Sequence, residues 1–343
     1  MSLAPMSTDW TSQARQRLDS LTKPPGSLGY LEDLAVRLVE IQETLKPNVT
    51  KKRLCLFAGS HGIAAANVSA YPAVVTGQML QNFLAGGAAA NVLARHAGVE
   101  LNLIDVGVDA DPVESPRKDF FNRRVRRGTR NFLEEPAMTP KETTLALNAG
   151  REQARLAKQD GVQILGIGEM GIGNTTSSSA LISALMGLPP KIAVGRGTGI
   201  DDAGVKRKVE VVAQALKKHA SCKGVSQWLP AVGGFEIAAM AGLILEAAAL
   251  RLPVIVDGFV ATAAAVVARR TEPNSLDTCL FAHVSSEQPH ATVLPLLNAR
   301  PILHLGMRLG EGTGSLLAMS IVEAAAKILN EMATFESAKV SST

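Results

Sequence analysis

Short aliphatic runs alternate along the chain with segments of helical hydrophobic spacing, and glycine-rich loops join them. The strand-like runs are residues 54–58, 164–165, 254–256 and 302–303. Apolar positions recur at helical spacing over residues 74–95, 175–186, 203–219, 236–250, 261–269 and 315–329. This alternation predicts an α/β fold, with a Rossmann-like, mostly parallel sheet that has helices on both faces.

The two ends of the chain have helical patterns and no obvious strand. One helical segment is residues 28–42, and the other is residues 315–333 before a polar tail. We therefore expect a small helical domain built from residues 1–46 and 315–343. Residues 47–314 would form a large α/β domain that carries the active-site loops, because ligands bind at the carboxyl ends of parallel strands.

Composition excludes several classes of protein. Hydrophobic residues make up 46% of the chain and charged residues 19%, a balance that argues against intrinsic disorder. No apolar stretch approaches the ~20 residues of a membrane-spanning helix, and no secretory signal is visible, so we place the protein in the cytoplasm with no membrane partner. The net charge of +4 is too slight for a dedicated nucleic-acid binder. The basic cluster at residues 117–130 is interpreted as a solvated loop.

The sequence predicts no metal site and no disulfide framework. Cys55, Cys222 and Cys279 are far apart, and none lies in a Cys-x-x-Cys pair. Asp201 and Asp202 could suggest a magnesium–pyrophosphate site, but acidic residues are also expected in the first turn of a helix. We prefer the helix interpretation for this pair.

Two glycine-rich loops are candidates for phosphate binding. Gly166, Gly168 and Gly171 spell G-x-G-x-x-G after an apparent strand, which is typical of dinucleotide sites. The acidic residue expected about 20 positions later is absent, which disfavours the alternative of an NAD-dependent oxidoreductase. In the second loop, residues 195–199 precede the basic run that ends at Lys208, and they could cradle a phosphate. Asn174 could add a hydrogen bond to the same anion or cap a helix.

Glu311 is the clearest candidate for a base. It lies between Gly310 and Gly312, beside Leu309, at the start of a predicted helix. Partial desolvation would raise its pKa and make it a better base near neutrality. A glutamate in this place could equally stabilise the helix dipole, and we interpret the histidines near the loops as structural.

Several segments together resemble one enzyme family, the nicotinate-nucleotide:dimethylbenzimidazole phosphoribosyltransferases of cobalamin lower-ligand assembly. The resemblance covers nearly the whole chain, with its segments in the family's order. These are LTKPPGSLG at 21–29, HG at 61–62 with VSAYP at 68–72 and TGQM at 76–79, GEMGIGNTT at 168–176, GRGTG at 195–199, GGFE at 233–236, DGF at 257–259, HVS at 283–285 and LGEGTG at 309–314.

The resemblance implies transfer of phosphoribose from nicotinate mononucleotide to 5,6-dimethylbenzimidazole or a related base. The products would be α-ribazole 5′-phosphate, formed with inversion at the anomeric carbon, and nicotinate. It also implies a homodimer and no cofactor. A non-catalytic nucleotide-binding paralogue is the remaining alternative.

Carried across position by position, the resemblance makes Glu311 the general base and Glu169 a second carboxylate near the ribose. The residues implied for the phosphoribosyl group are Gly171, Gly197, Lys208, Ser285 and Gly310. Those implied for the base are Ser69, Tyr71, Gln78, Met170 and Leu309. The chain departs from the family at Ser60 and over residues 286–290, which leaves the preferred acceptor base open.

Overall fold

A single parallel sheet organises the computed structural model, which describes residues 8–113 and 115–341. Within those residues seven strands have the order β3-β2-β1-β4-β5-β6-β7, and every pairing is parallel. They are β1 Lys52–Gly59, β2 Glu100–Gly107, β3 Phe120–Asn122, β4 Ile164–Met170, β5 Val254–Val256, β6 Cys279–His283 and β7 Pro301–Leu303. The predicted α/β fold with a mostly parallel sheet is confirmed.

Helices connect the strands and cover the sheet. They are α1 Thr8–Asp19, α2 Tyr30–Gln42, α3 Val75–Ala85, α4 Ala89–Ala97, α5 Pro140–Gln159, α6 Asn174–Met186, α7 Pro190–Ala193, α8 Asp202–Lys218, α9 Val225–Val232, α10 Phe235–Ala249, α11 Phe259–Thr271, α12 Gln288–Leu296, α13 Thr313–Glu331 and α14 Phe335–Ala338. Among the described residues, no helix is long and apolar enough to cross a membrane.

Two hydrophobic cores lie on opposite faces of the sheet. Side chains alternate along a strand, so Cys55 and Phe57 of β1 enter one core while Leu54 and Leu56 enter the other. Helices α5, α6, α10 and α11 contribute to the first core, and α1 to α4 with α13 contribute to the second. Both faces of the sheet are therefore covered, which explains why the strands are almost continuously apolar.

The two ends of the described chain meet. Leu21 and Thr334 form an antiparallel bridge, and Phe335 N–H donates to the Ser20 carbonyl at 3.1 Å. Helix α13 contacts α2 and also packs on strands β4 to β7. The division into domains at residues 46 and 314 stays a prediction, and its outermost residues, 1–7 and 342–343, lie outside the described part.

The strand order reverses between β1 and β4. After β1, the chain adds β2 and β3 on one side of that strand. The next strand, β4, then pairs with β1 on its other side. Such a reversal leaves a crevice at the carboxyl ends of the two strands, which is where ligands bind in open parallel sheets. The loops after β4, β5 and β6 all emerge at this edge.

Candidate active site

A cavity of about 460 Å³ lies at the carboxyl ends of β4, β5 and β6. The loop before α13 and the edge of α3 close two of its sides. Its lining residues are Tyr71, Val75, Met79, Glu169, Met170, Gly171, Ile172, Asn174, Thr175, Gly197, Thr198, Gly258, Phe259, Val260, His283, Ser285, Glu287, Arg308, Leu309, Gly310 and Glu311.

Glu311 lies in a left-handed turn at the start of α13. Its φ of 60° is unusual for a residue with a side chain, and Gly310 and Gly312 on either side also have positive φ, at 86° and 76°. The buried carboxylate accepts a hydrogen bond from Ala90 N–H at 3.2 Å. Burial raises the pKa of Glu311, the Ala90 N–H opposes that rise, and the nearby Asp257 charge adds to it.

Glu169 lies near the end of β4, next to the Glu311 turn. Asn174 donates a short hydrogen bond to its Oε2. Burial, with a smaller contribution from the charges of Glu236 and Asp257, raises the pKa of Glu169 from 4.5 to about 8. A Cβ added to Gly310 would lie 2.2 Å from Glu169 Oε1, so glycine at this position lets the turn lie directly against this carboxyl group.

The G-x-G-x-x-G interpretation as a loop after a strand is wrong. Strand β4 continues to Met170, so Gly166 and Gly168 lie within it. A Cβ on Gly168 would lie 2.7 Å from Gly312 N and 2.8 Å from the carbonyl carbon of Glu311. This glycine therefore makes room for the Glu311 turn to pack on the strand, which removes the main support for a dinucleotide site.

The turn after β4 is held by a buried histidine–glutamate pair. His61 Nε2 lies 2.6 Å from Glu236 Oε1, and His61 Nδ1 lies 3.0 Å from Ser177 Oγ. A Cβ on Gly171 would meet the Gly59 carbonyl oxygen at 2.4 Å and the His61 ring at 3.2 Å. The pair is packed under the floor of the cavity, in agreement with a structural role for His61.

The loop at residues 195–199 and Lys208 lie at one end of the cavity. Gly197 lines it with a φ of 55°, and a Cβ there would lie 2.8 Å from Thr175 Oγ1 and 3.1 Å from Lys208 Nζ. Lys208 is buried behind the loop and donates to Thr175 Oγ1 at 2.7 Å. Burial lowers the pKa of Lys208 to about 8, and the charge of Glu287 opposes that shift.

Ser285 lines the same end of the cavity and is fixed by a buried histidine. Its backbone N–H donates to His290 Nδ1 at 2.9 Å, so His290 Nε2 carries the proton toward Thr262 Oγ1, also at 2.9 Å. Burial lowers the pKa of His290 to about 3. The ring is therefore neutral and holds the backbone of Ser285 in place.

Of the five residues implied for the base, three line the cavity. Tyr71, Met170 and Leu309 do so. Ser69 is outside the lining set, and its hydroxyl lies 3.0 Å from Thr198 Oγ1, the same atom that accepts a hydrogen bond from Ala70 N–H at 2.9 Å. Gln78 is exposed on α3, outside the lining set.

Several lining residues were missed from the sequence. Val75, Met79 and Ile172 are ordinary apolar residues with no local signal of function. Two further lining residues had a signal in the sequence. Arg308 immediately precedes the segment 309–314 that contains Glu311, and Glu287 lies in the stretch 286–290 that departs from the family pattern.

The two remaining sequence interpretations concern Ser60 and the Asp201–Asp202 pair. Ser60 is buried away from the cavity lining and its Oγ accepts a hydrogen bond from Asp109 N–H at 2.9 Å. Asp201 caps α8 by accepting from Gly204 N–H at 2.8 Å, and Asp202 pairs with Arg196. Across residues 8–113 and 115–341 no group of three or more His, Cys, Asp or Glu side chains is placed to hold a metal ion.

Comparisons with known proteins agree with this geometry. The model of a family described as "Phosphoribosyltransferase" matches residues 3–340. The nicotinate-nucleotide–dimethylbenzimidazole phosphoribosyltransferase of Chlorobaculum tepidum is 48% identical over 341 residues, 99% of this chain and 96% of that protein. The enzyme of the same name from Cupriavidus taiwanensis is 49% identical, over 94% of this chain and 93% of its own.

Solved structures give the same result. The crystal structure of CobT from Thermus thermophilus is 46% identical and superposes with a TM-score of 0.94, covering 98% of this chain and all of that one. Identity at this level over nearly the full length shows shared family as well as shared fold. The chain therefore belongs to the nicotinate-nucleotide–dimethylbenzimidazole phosphoribosyltransferase family.

Proposed function

We propose that this chain transfers the phosphoribosyl group of nicotinate mononucleotide to 5,6-dimethylbenzimidazole or a related base. The names of its relatives support this reaction. The observation that carries it in this chain is the arrangement of the cavity. Two buried carboxyl groups, Glu311 and Glu169, line the same cavity as Tyr71 and Leu309, and the Gly197 loop lines it too, with the buried Lys208 behind that loop.

The donor needs no general acid. In nicotinate mononucleotide the leaving ring is cationic, so its departure neutralises the ring charge. This differs from ordinary glycoside cleavage, in which a carboxylic acid protonates the leaving oxygen. When the acceptor nitrogen attacks from the opposite face, the anomeric centre inverts and the benzimidazolium that forms must lose its N–H proton.

Glu311 takes that proton in this proposal. A group with a pKa of about 8 is mostly protonated at pH 7, so Glu169 is a poor base there. It instead contributes a carboxyl group beside the reacting ribose. Glu311 retains the Ala90 N–H, which favours its charged form. A positioned base contributes about 10²–10⁴-fold to the rate, and holding both substrates together contributes further.

The phosphate of the donor would lie at the Gly197 and Ser285 end. Backbone N–H groups and a fixed cation are the usual partners of a phosphate, and Lys208 is the buried cation at this end. Gly171 and Gly310 both line the cavity, and without a side chain at these positions the ribose can approach the backbone.

We also propose a cytoplasmic homodimer. Tyr71 and Leu309, at the mouth of the cavity, are 56% and 59% exposed, and Val74 and Leu305 near them are similarly open. Exposed apolar groups around a binding site are typical of an interface. A second subunit would cover them and close the base slot.

The test is product analysis after mixing the purified protein with nicotinate mononucleotide and dimethylbenzimidazole, without added metal. Chromatography and mass spectrometry should detect nicotinate and ribazole phosphate in equal amounts, and NMR of the anomeric proton should show the α configuration. Absence of product with this base, adenine and phenols would favour the non-catalytic paralogue.

A further inference from the structure

Glu287 is a buried carboxylate that the proposed reaction does not yet use. It follows β6 at the N-terminus of α12, lines the cavity and is only 5% exposed. Its Oε2 has no hydrogen-bond partner among the residues that the structure describes. A buried carboxylate without a hydrogen-bond partner costs free energy. Oε2 is enclosed by protein, so the oxygen left for a ligand in the cavity is Oε1, which has no hydrogen-bond partner in the described part of the chain either.

The protein groups around Glu287 have other partners. A Cβ on Gly195 would lie 2.2 Å from Glu287 Oε2, so the carboxylate is packed against the Gly195 backbone. The Lys208 Nζ donates elsewhere, to Thr175 Oγ1 at 2.7 Å and to the Gly195 carbonyl at 3.4 Å. The Glu287 N–H itself donates to Ser285 Oγ at 3.2 Å.

The chemistry of the substrates decides which group can approach a carboxylate here. Phosphate and the nicotinate carboxylate are anionic acceptors that Glu287 would repel. The benzimidazole N–H is already assigned, because in the proposed reaction it gives its proton to Glu311. The ribose hydroxyls remain, and they are neutral donors attached next to the phosphate end.

We propose that Glu287 accepts a hydrogen bond from a ribose hydroxyl of the donor and so selects ribosyl over deoxyribosyl donors. This inference rests on the proposed function. Its basis is a carboxylate without a hydrogen-bond partner, the place of Glu287 in the cavity wall and the other roles that the proposed function gives to the substrates' remaining groups. Glu169 is not assigned this contact, because it already accepts a hydrogen bond from Asn174.

The experiment compares kcat/KM for nicotinate mononucleotide with that for its 2′-deoxy and 3′-deoxy analogues. A hydrogen bond to a charged acceptor contributes enough that the wild type should lose about tenfold to hundredfold with one analogue. In Glu287→Met, which keeps the length of the side chain without its acceptor, that ratio should fall to within about threefold of one. Glu287→Gln should be intermediate.

Gln288→Met provides the matched control, because Gln288 is the exposed neighbour and the variant should keep the wild-type ratio. The intrinsic reactivity of each analogue is common to all variants, so the change in ratio isolates the side chain. A wild type that accepts both analogues within about threefold of the parent donor overturns the proposal, even if Glu287→Met does not fold. A wild type with no turnover at all contradicts the proposed function instead.

Discussion

The Ala90 N–H and the Glu311 carboxylate join the start of α4 to the start of α13. Ala90 lies in the first turn of α4, where backbone N–H groups have no partner within the helix. By donating to Glu311 Oε2 at 3.2 Å, it orients one oxygen of the carboxylate, and the other is the one that would take the acceptor proton in the proposed reaction. Helix N-termini favour negative charge, which partly offsets the cost of burying Glu311.

Replacing Glu311 by glutamine should reduce kcat by about 10²–10⁴-fold, because the transition state loses its proton acceptor. Affinity for nicotinate mononucleotide should change less than about threefold, since a neutral side chain of equal size remains. Steady-state kinetics and isothermal titration calorimetry provide the two numbers. Unchanged kcat would remove Glu311 from the role of base.

Glu169 should make the folded protein less stable as pH rises. Its pKa is about 8 when folded against 4.5 as the reference value, so the folded state holds a proton that the unfolded state has released between these limits. Stability that is present near pH 4.5 is therefore lost as pH rises to about 8. Glu169→Gln should become increasingly more stable than wild type from about pH 5 to about pH 9 in urea titrations.

Glu323 offers the control of opposite sign for that measurement. Hydrogen bonds from Lys327 and Lys52 lower its pKa, so its stabilising contribution is present above the unfolded pKa and lost at lower pH. Glu323→Gln should therefore lose stability relative to wild type as pH rises. The same slope in both variants would contradict the assignment for Glu169.

Donor affinity should weaken above pH 8 through Lys208. Burial lowers the pKa of this lysine to about 8, so deprotonation removes the cation at the phosphate end. We expect kcat/KM for the donor to fall about tenfold per pH unit above that value, mainly through KM. Lys208→Met should have a high KM that varies little with pH in this range, whereas Lys206→Met, at an exposed position on the same helix, should keep the wild-type profile.

Gly310→Ala should lose most of the activity. The new Cβ would lie 2.2 Å from Glu169 Oε1, at a residue with a φ of 86°, so either the Glu169 carboxyl group or the turn must move. Gly306→Ala is the comparison, because Gly306 has a φ of 66° but its nearest contact is Ser286 Oγ at 3.8 Å. In Gly306→Ala, backbone strain should lower the free energy of unfolding by only about 1–2 kcal/mol. Equal activities in the two variants would show that proximity to Glu169 is unimportant.

Thr198 should connect the two substrate subsites. Its hydroxyl holds Ser69 and the Ala70 N–H on the base side while its neighbour Gly197 lines the phosphate side. Thr198→Val should raise KM for dimethylbenzimidazole about threefold to tenfold, as expected from loss of hydrogen bonds of about 1 kcal/mol each. Thr198→Ser restores the hydroxyl and should restore KM. If KM is also raised in Thr198→Ser, which keeps the hydroxyl but lacks the methyl group, Thr198 acts through packing instead.

Much of the fold could be predicted because apolar runs and helical spacing are local signals. The strands at residues 54–58 and 254–256 and the helix over 203–219 coincide closely with β1, β5 and α8. Strand β2, Glu100–Gly107, was missed, although polar and apolar residues alternate at its start. The predicted helix over 74–95 is divided into α3 and α4, because Gly86 adopts a φ of 79° and ends the first helix.

The site was predicted less evenly, and the reason is physical. Glu311 is marked by its flanking glycines, and Glu169 by the glycine-rich strand that contains it. Glu287 and Ser69 act through contacts with residues far away in the chain, Gly195 and Thr198, which no local pattern contains. The G-x-G-x-x-G motif was misinterpreted for the same reason. Glycine is needed in a phosphate loop, but it is also needed in a strand that packs closely against a turn far away in the chain.

The two glycines in β4 restrict which backbone changes this protein can tolerate during evolution. Gly166 and Gly168 leave no gap between the strand and the elements lying on it, since a Cβ on Gly166 would be 2.8 Å from Met319 and one on Gly168 would be 2.7 Å from Gly312 N. The main chain around Glu311 therefore cannot move toward β4 without a collision. Under the proposed function, we expect adaptation to a different acceptor to come from exchange of the exposed side chains Tyr71 and Leu309, on a backbone that stays fixed.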